Sequence, residues 1–308
     1  MENDESEEGG GAEHGFDLPV VSEMAMKMAT GFAWRAHDGE ELHGVAWRRE
    51  GARGAVVCVH GLSGAGEQFE PVAMAVRDFS FFAMELRGQG NDPVARRRGR
   101  ALELEKQVRD IGEFVEFVRR ENGGRPVFLM GESMGALLAA SFAAERGGGV
   151  DGLVLSVPVV GLRREVPRIV KKALRLVAGL APHWRLPPSR FVNGTSVAPR
   201  ITRNKEYQDS LRQKPHHITD FTLGFLSELG ELIDGSGELA ARLNVPVLVL
   251  AAGRDCFVRR EQIEMWFEGV AEKEKTLHIY DEAFHLLWHD WDRDRVLQDL
   301  SAWFDAKA

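Results

Sequence analysis

Five residues, Gly131-Glu132-Ser133-Met134-Gly135, constrain this chain more than any other stretch. They fit G-x-S-x-G, the pattern of a nucleophile elbow. Ahead of them runs Arg125-Pro126-Val127-Phe128-Leu129-Met130, an apolar run that reads as a buried strand. Behind them, Ala136 to Glu145 is built from good helix formers. A strand and a helix joined by so tight a turn hold the central residue in a strained backbone region. Side chains at the flanking positions would collide with strand or helix, which is the mechanical reason for Gly131 and Gly135. The turn pushes the serine oxygen out at the carboxyl end of the strand, beside a helix N-terminus. A backbone N–H there can face a developing oxyanion. The pattern alone also fits an ordinary strand-to-helix turn, so the rest of the chain must decide.

The rest alternates strand and helix. Gly31–His37 and Leu42–Arg48 flank Asp38-Gly39, a hairpin signal. Ala55–His60 is a continuous apolar run, as central parallel strands are. Phe79–Leu86, Gly152–Val157, Val245–Leu250 and Lys275–Tyr280 read as further buried strands. Helices are expected over about 71–78, 102–121 and 293–304. Two antiparallel strands followed by β–α units predict an α/β architecture, a mostly parallel eight-stranded sheet with helices on both faces. Residues 159–243 break the alternation, with helical stretches between prolines and no clear strand. The division is therefore a tail (1–18), a first core part (19–158), a helical cap insertion (159–243) and a second core part (244–308).

A serine hydroxyl needs a base to take its proton and an acid to orient that base. In the elbow-bearing hydrolase architecture these follow in the order Ser, Asp/Glu, His. Asp255 lies just past one strand and His285 just past the last, on the same sheet edge as Ser133, where open α/β sheets bind ligands. Ser133, Asp255 and His285 are the expected triad, with Asp281 and His289 as rival acid and base. The oxyanion donors are expected at the N–H of Met134 and, in the loop after His60-Gly61, at the N–H of Leu62. His60 is expected to bond within its own loop. His285 and His289 have i, i+4 spacing but lack the Glu of an H-E-x-x-H zinc motif, so no metal is expected. Phe221 and Phe225 are candidates to face a substrate, or to pack within the cap. His216-His217 reads as exposed loop.

Taken together, His60-Gly61, Glu85-Leu86-Arg87-Gly88-Gln89-Gly90, Gly131–Gly135, Gly253-Arg254-Asp255 and Ala283-Phe284-His285 resemble the monoacylglycerol lipase and lysophospholipase branch of the α/β hydrolases, a serine aminopeptidase S33-type group. The resemblance covers about residues 30–305 and includes Ile201–Lys205 in the cap. It implies a Ser133–Asp255–His285 triad, an oxyanion hole at Leu62 and Met134, no cofactor, and a cap over an acyl channel. The substrate it implies is a monoacylglycerol or lysophospholipid. Many members carry His where this chain has Glu132, and a carboxylate there favours the imidazolium form of His285.

Composition narrows the partners. Seven acids within residues 1–19 account for all but one unit of the net charge of −8. The body is close to neutral, with no basic field for nucleic acid. The acidic, glycine-bearing first fifteen residues cannot bury enough surface to order themselves. No signal peptide or 18-residue apolar span is legible, and two cysteines fit a reducing compartment, so a cytoplasmic location is expected. Peripheral membrane contact is a further expectation. Arg164, Arg168, Lys171, Lys172 and Arg175 form one helical stripe, and Val166, Ile169, Val170, Ala173, Leu174, Val177 and Leu180 form the other. Such a helix either lies on an anionic bilayer or buries its apolar stripe on the core with its charges in water.

Overall fold

The computed structural model describes residues 29–146, 149–187 and 199–308; the acidic stretch 1–18 lies outside them. Strands β1 (Thr30–Arg35) and β2 (Glu41–Trp47) pair antiparallel across the Asp38-Gly39 turn. The strands that follow in the main sheet are β3 (Gly54–Val59), β4 (Phe79–Met84), β5 (Val127–Glu132) and β6 (Gly152–Ser156). After the inserted segment come β9 (Val247–Ala252) and β10 (Lys275–Tyr280). The sheet runs β1-β2-β4-β3-β5-β6-β9-β10, with β2 antiparallel to β4 and all later pairs parallel. This is the mostly parallel eight-stranded sheet expected from the chain.

Side-chain alternation along the central strands supplies two cores. Val57, Leu129, Leu155 and Val249 face one side, against helices α2 (Leu104–Glu121) and α3 (Met134–Arg146). Val56, Phe128, Met130, Val154 and Leu248 face the other, against α1 (Glu70–Ala75) and α9 (Arg293–Lys307). β3, β4, β5, β6 and β9 are buried along their whole length, as helices on both faces require. β10 departs from its expected burial. It is an edge strand with one neighbour, and five of its six residues are only half-buried.

Between β6 and β9 lie α4 (Arg168–Leu180), α5 (Lys205–Leu211), α6 (Leu223–Asp234) and α7 (Ser236–Ala240); α8 (Arg260–Glu268) follows β9. A ribbon unseen in the sequence, β7 (Arg185–Leu186) with β8 (Phe221–Thr222), joins the inserted segment to itself. The Thr222 N–H donates to Gly99 O at 3.0 Å, which ties the ribbon to the core. Two-residue strands carry no periodicity, so only tertiary pairing defines them.

The basic amphipathic helix α4 is oriented against the core-burial expectation. Two of its cations turn toward α6: Arg175 pairs with Asp234 at 3.0 Å and Glu231 at 3.4 Å, and Lys171 also pairs with Asp234, while Arg164, Arg168 and Lys172 are exposed. Ile169, Leu176 and Leu180 are 74%, 67% and 79% exposed, and Trp184 beyond the helix is also exposed. The acids at the end of α6 draw these two cations inward, and much of the apolar stripe faces water.

One buried ion-pair network fixes the corner beneath the site. Arg87 reaches both Asp110 oxygens, at 2.5 and 2.9 Å, and both Asp38 oxygens, at 3.0 and 3.1 Å. It also pairs with Glu40. The network joins the loop after β4 to α2 and to the β1–β2 turn. Removing one partner of a buried pair strands the other charge. Arg87→Met is therefore expected to lower unfolding free energy by about 3–5 kcal/mol in urea titrations. A loss under about 1 kcal/mol would assign the network no such role.

Candidate active site

β5 delivers Ser133 at its carboxyl end, and α3 begins at the next residue. Ser133 has φ +57°, the left-handed region that a side-chain-bearing residue adopts only when its surroundings impose it. Its N–H donates to Ser156 O at 2.9 Å. A Cβ on Gly135 would strike the backbone oxygens of Val59 and His60, and one on Gly131 would lie 2.6 Å from the Ala136 Cα. The elbow glycines are thus required by contact with neighbouring backbone.

The loops after β9 and β10 carry Asp255 and His285 to the same edge. His285 Nδ1 lies 2.7 Å from Asp255 Oδ2, and its Nε2 lies 2.9 Å from Ser133 Oγ. A proton on Nδ1, shared with the carboxylate, leaves Nε2 as the acceptor of the serine hydroxyl. The other Asp255 oxygen, Oδ1, accepts the N–H groups of Phe257, at 2.7 Å, and Val258, at 3.3 Å. Both carboxylate oxygens are thereby occupied, and both Asp255 and His285 are buried. The Phe257 ring meets the His285 ring edge-to-face at 4.5 Å and limits its rotation.

Leu62 and Met134 line the same cavity as Ser133. Among the described residues neither of their N–H groups has an acceptor. The peptide that carries the Leu62 N–H is held at its other end. Gly61 O accepts the His60 Nδ1–H at 2.8 Å and the Gly64 N–H at 3.0 Å. His60 Nε2 accepts the Leu86 N–H at 3.2 Å. Burial opposes charge on the ring and outweighs the Gly61 O bond, which favours it, so His60 is pushed down to about 4 and stays neutral.

The rivals serve elsewhere. Asp281 pairs with Arg260 at 2.8 Å. His289 sits in a short turn before α9, stacks on Tyr207 at 3.9 Å and contacts Gln68 O at 3.1 Å. Burial lowers it to about 3.

The cavity over Ser133 has a volume of about 890 Å³. Its walls are chiefly aliphatic, including Val159, Leu162, Leu174, Leu223, Leu226 and Ile233. Phe221 and Phe225 take no part. They are fully buried and packed on each other with centroids 4.6 Å apart, so the substrate-facing expectation for them is corrected. On α6 the cavity is met instead by Leu223 and Leu226. The helical phase of α6 could not be assigned to a partner without the fold. His216 is likewise buried, and His217 lines the cavity, contrary to an exposed-loop reading. Phe257, Trp288 and Gln89 were missed as site residues. Gln89 lies in a motif already visible in the sequence, while Trp288 carries no local signal.

Trp288 donates its indole N–H to Glu132 Oε2 at 2.7 Å, in a fully buried contact. Burial raises the Glu132 carboxyl above its usual range, against the Trp288 bond and the His285 charge, which lower it. For His285, burial opposes charge, but Asp255 and then Glu132 favour the imidazolium, and the net direction is upward.

The family model described as "Serine aminopeptidase, S33" matches residues 50–292. The chain is 24% identical to a phospholipase of Bacillus subtilis (YtpA), over 84% of this chain and 98% of that protein. It is 27% identical to the human monoglyceride lipase, over 86% of this chain and 87% of that one. Among solved structures it resembles a Paleococcus ferrophilus monoacylglycerol lipase, with TM-score 0.74, 22% identity and coverage of 87% and 100%. It also resembles a soluble variant of a Saccharomyces cerevisiae monoglyceride lipase in complex with a substrate analogue. The TM-score there is 0.77, with 19% identity and coverage of 90% and 95%. The structural likenesses establish the α/β-hydrolase fold.

A base must be neutral to accept the serine proton. With the His285 pKa raised, kcat/KM is expected to climb with pH through a limb above the ordinary histidine value of about 6.5. Glu132→Gln removes one group that favours the cation, so that limb should move to lower pH. An unmoved limb in the pH–rate profile would remove Glu132 from the control of His285.

Proposed function

Because the chain belongs to the serine aminopeptidase S33 family of hydrolases, we propose that it cleaves carboxylic esters of lipids, with monoacylglycerols or lysophospholipids as substrates. The observation that carries this reading is the hydrogen-bonded chain Ser133–His285–Asp255 on the floor of an aliphatic cavity. Ser133 Oγ attacks the ester carbonyl while His285 Nε2 takes its proton. The carbonyl oxygen becomes an oxyanion between the Leu62 and Met134 N–H groups. His285 returns the proton to the leaving alcohol, and Asp255 stabilises the imidazolium between the two transfers. Water then repeats the sequence on the acyl-enzyme and releases the acid. No step calls for a cofactor.

The cavity favours a fatty acyl chain over a peptide. Of the three acids bordering it, Glu132 is engaged by Trp288 and Asp234 by Lys171 and Arg175. Only Asp220 remains, among the described residues, to hold a substrate amine. A short-chain carboxylesterase would need no aliphatic wall of this extent.

We further propose that the enzyme takes its substrate at a lipid surface, on the outward apolar residues of α4 and Trp184. Exposed apolar side chains grouped beside basic ones fit an interfacial contact. Among the described residues no helix is long and apolar enough to cross a membrane. Lys171 and Arg175 are paired with α6, while Arg164, Arg168 and Lys172 stay exposed beside the apolar side chains. Ile169→Glu with Leu180→Glu should abolish co-sedimentation with phosphatidylcholine vesicles and spare hydrolysis of soluble esters. Unchanged co-sedimentation would sink the docking proposal.

The substrate class is tested with monoacylglycerols from butyryl to oleoyl, using Ser133→Ala as control. Turnover should peak at medium or long chains and vanish in Ser133→Ala. A steady decline from the shortest ester would move the protein to short-chain esterases. Wild-type activity in Ser133→Ala would overturn the mechanism.

A further inference from the structure

Gln89 is fully buried in the loop after β4, and its side chain reaches both elements that carry the candidate oxyanion donors. Its Oε1 accepts the Ser63 N–H at 2.9 Å. Its Nε2 lies 3.9 Å from Met134 Sδ. Ser63 directly follows Leu62 in a turn closed by the Gly64 N–H on Gly61 O, at 3.0 Å. Ser63 has φ +59°. A left-handed third residue is the mark of a type II turn, and glycine or asparagine is the ordinary occupant. Serine there costs roughly 1 kcal/mol and persists only where other contacts impose it.

Two contacts do so. One is the Gln89 carbonyl on the Ser63 N–H. The other comes from the inserted segment, where the Ile218 N–H donates to Ser63 Oγ at 2.8 Å. The Gln89 backbone is itself braced, its N–H on Leu86 O at 3.0 Å and its O accepting the Asp92 N–H at 3.1 Å. Next to it, a Cβ on Gly90 would strike the Glu85 carboxylate and come within 2.9 Å of His60 Nε2, so the loop lies tight against the core.

We infer that Gln89 is a positioning residue of the reaction. By holding the Ser63 peptide in its left-handed turn, it keeps the adjoining Leu62 N–H aimed at the carbonyl oxygen that Ser133 attacks. Its contact with the Met134 side chain sets the two donors relative to each other. The assignment rests on the serine-hydrolase reading. It adds a side chain that touches no substrate yet governs transition-state binding.

An aim that matters only as charge develops shows in kcat and not in KM. Removal of a direct oxyanion donor costs about 10²–10³-fold in kcat. Loss of its support is expected to cost about 10–100-fold. The test is Gln89→Met, similar in length and without the acceptor, assayed on a soluble p-nitrophenyl ester with Ser133→Ala alongside. Gln89→Asn, too short to reach Ser63, serves in its place if circular dichroism shows that Gln89→Met is not folded. The expected result is a 10–100-fold fall in kcat with KM within about twofold, and an equal weakening of a trifluoromethyl ketone inhibitor. Wild-type kcat in the folded Gln89 variant, or a loss that falls on KM with inhibitor binding unchanged, overturns the assignment. Activity surviving in Ser133→Ala would instead overturn the hydrolase reading beneath it.

Discussion

Ser133 sits in a backbone conformation that costs of order 1–3 kcal/mol, and the surrounding fold is arranged so that it has no other. Its N–H is taken by Ser156 O, and β5 and β6 stay in register as far as the pair Glu132–Ser156. One residue further, Val157 is also left-handed, at φ +42°, with its N–H on Leu250 O at 2.7 Å. Gly135 brings α3 against the end of β3. Three parallel strands and one helix thus converge on a single turn. The serine oxygen is presented at a fixed point, and the loops that bear Asp255, His285 and Leu62 need only reach that point.

The electrostatics follow from burial at that edge. Asp255, His285, Glu132, His60 and Glu85 are all shielded from water, so each charge is felt strongly and each polar atom needs a partner. Glu85 is met by the N–H groups of Gly66, at 3.2 Å, and Asn91, at 3.0 Å. His60 is kept neutral by its burial, which outweighs the Gly61 O bond that favours the charged ring. His285 is the one histidine here with a carboxylate on one nitrogen and a hydroxyl on the other. Identical side chains a few residues apart in the fold therefore do different work, by position alone.

The inserted segment shapes the site. One side of it contributes aliphatic wall to the cavity, while the Ile218 amide fastens the loop beside Leu62. Its helix α4 turns cations toward α6 and much of its apolar stripe toward solvent. The same element thus bears on what enters the cavity, on the geometry at its floor and on the surface met outside.

Local pattern determined most of the framework. Continuous apolar runs marked the central strands, Asp38-Gly39 marked the hairpin, and the glycine-flanked serine between strand and helix marked the elbow. Chain order and strand ends singled out Asp255 and His285, because a sheet edge gathers whatever follows each parallel strand. The facing of the inserted helices was decided only by the tertiary structure. Phe221 and Phe225 turned inward to each other, His216 became buried, and α4 turned its apolar residues outward. Those outcomes depend on partners distant in sequence, such as Asp234 for Lys171 and Trp288 for Glu132, and no local periodicity encodes them. Gln89 stood within a visible motif, but its bond to Ser63 spans two loops that meet only when β3 and β4 pair. The sequence marked the elbow because strand, turn and helix are local; the fold decided the lining of the cavity because facing side chains are not.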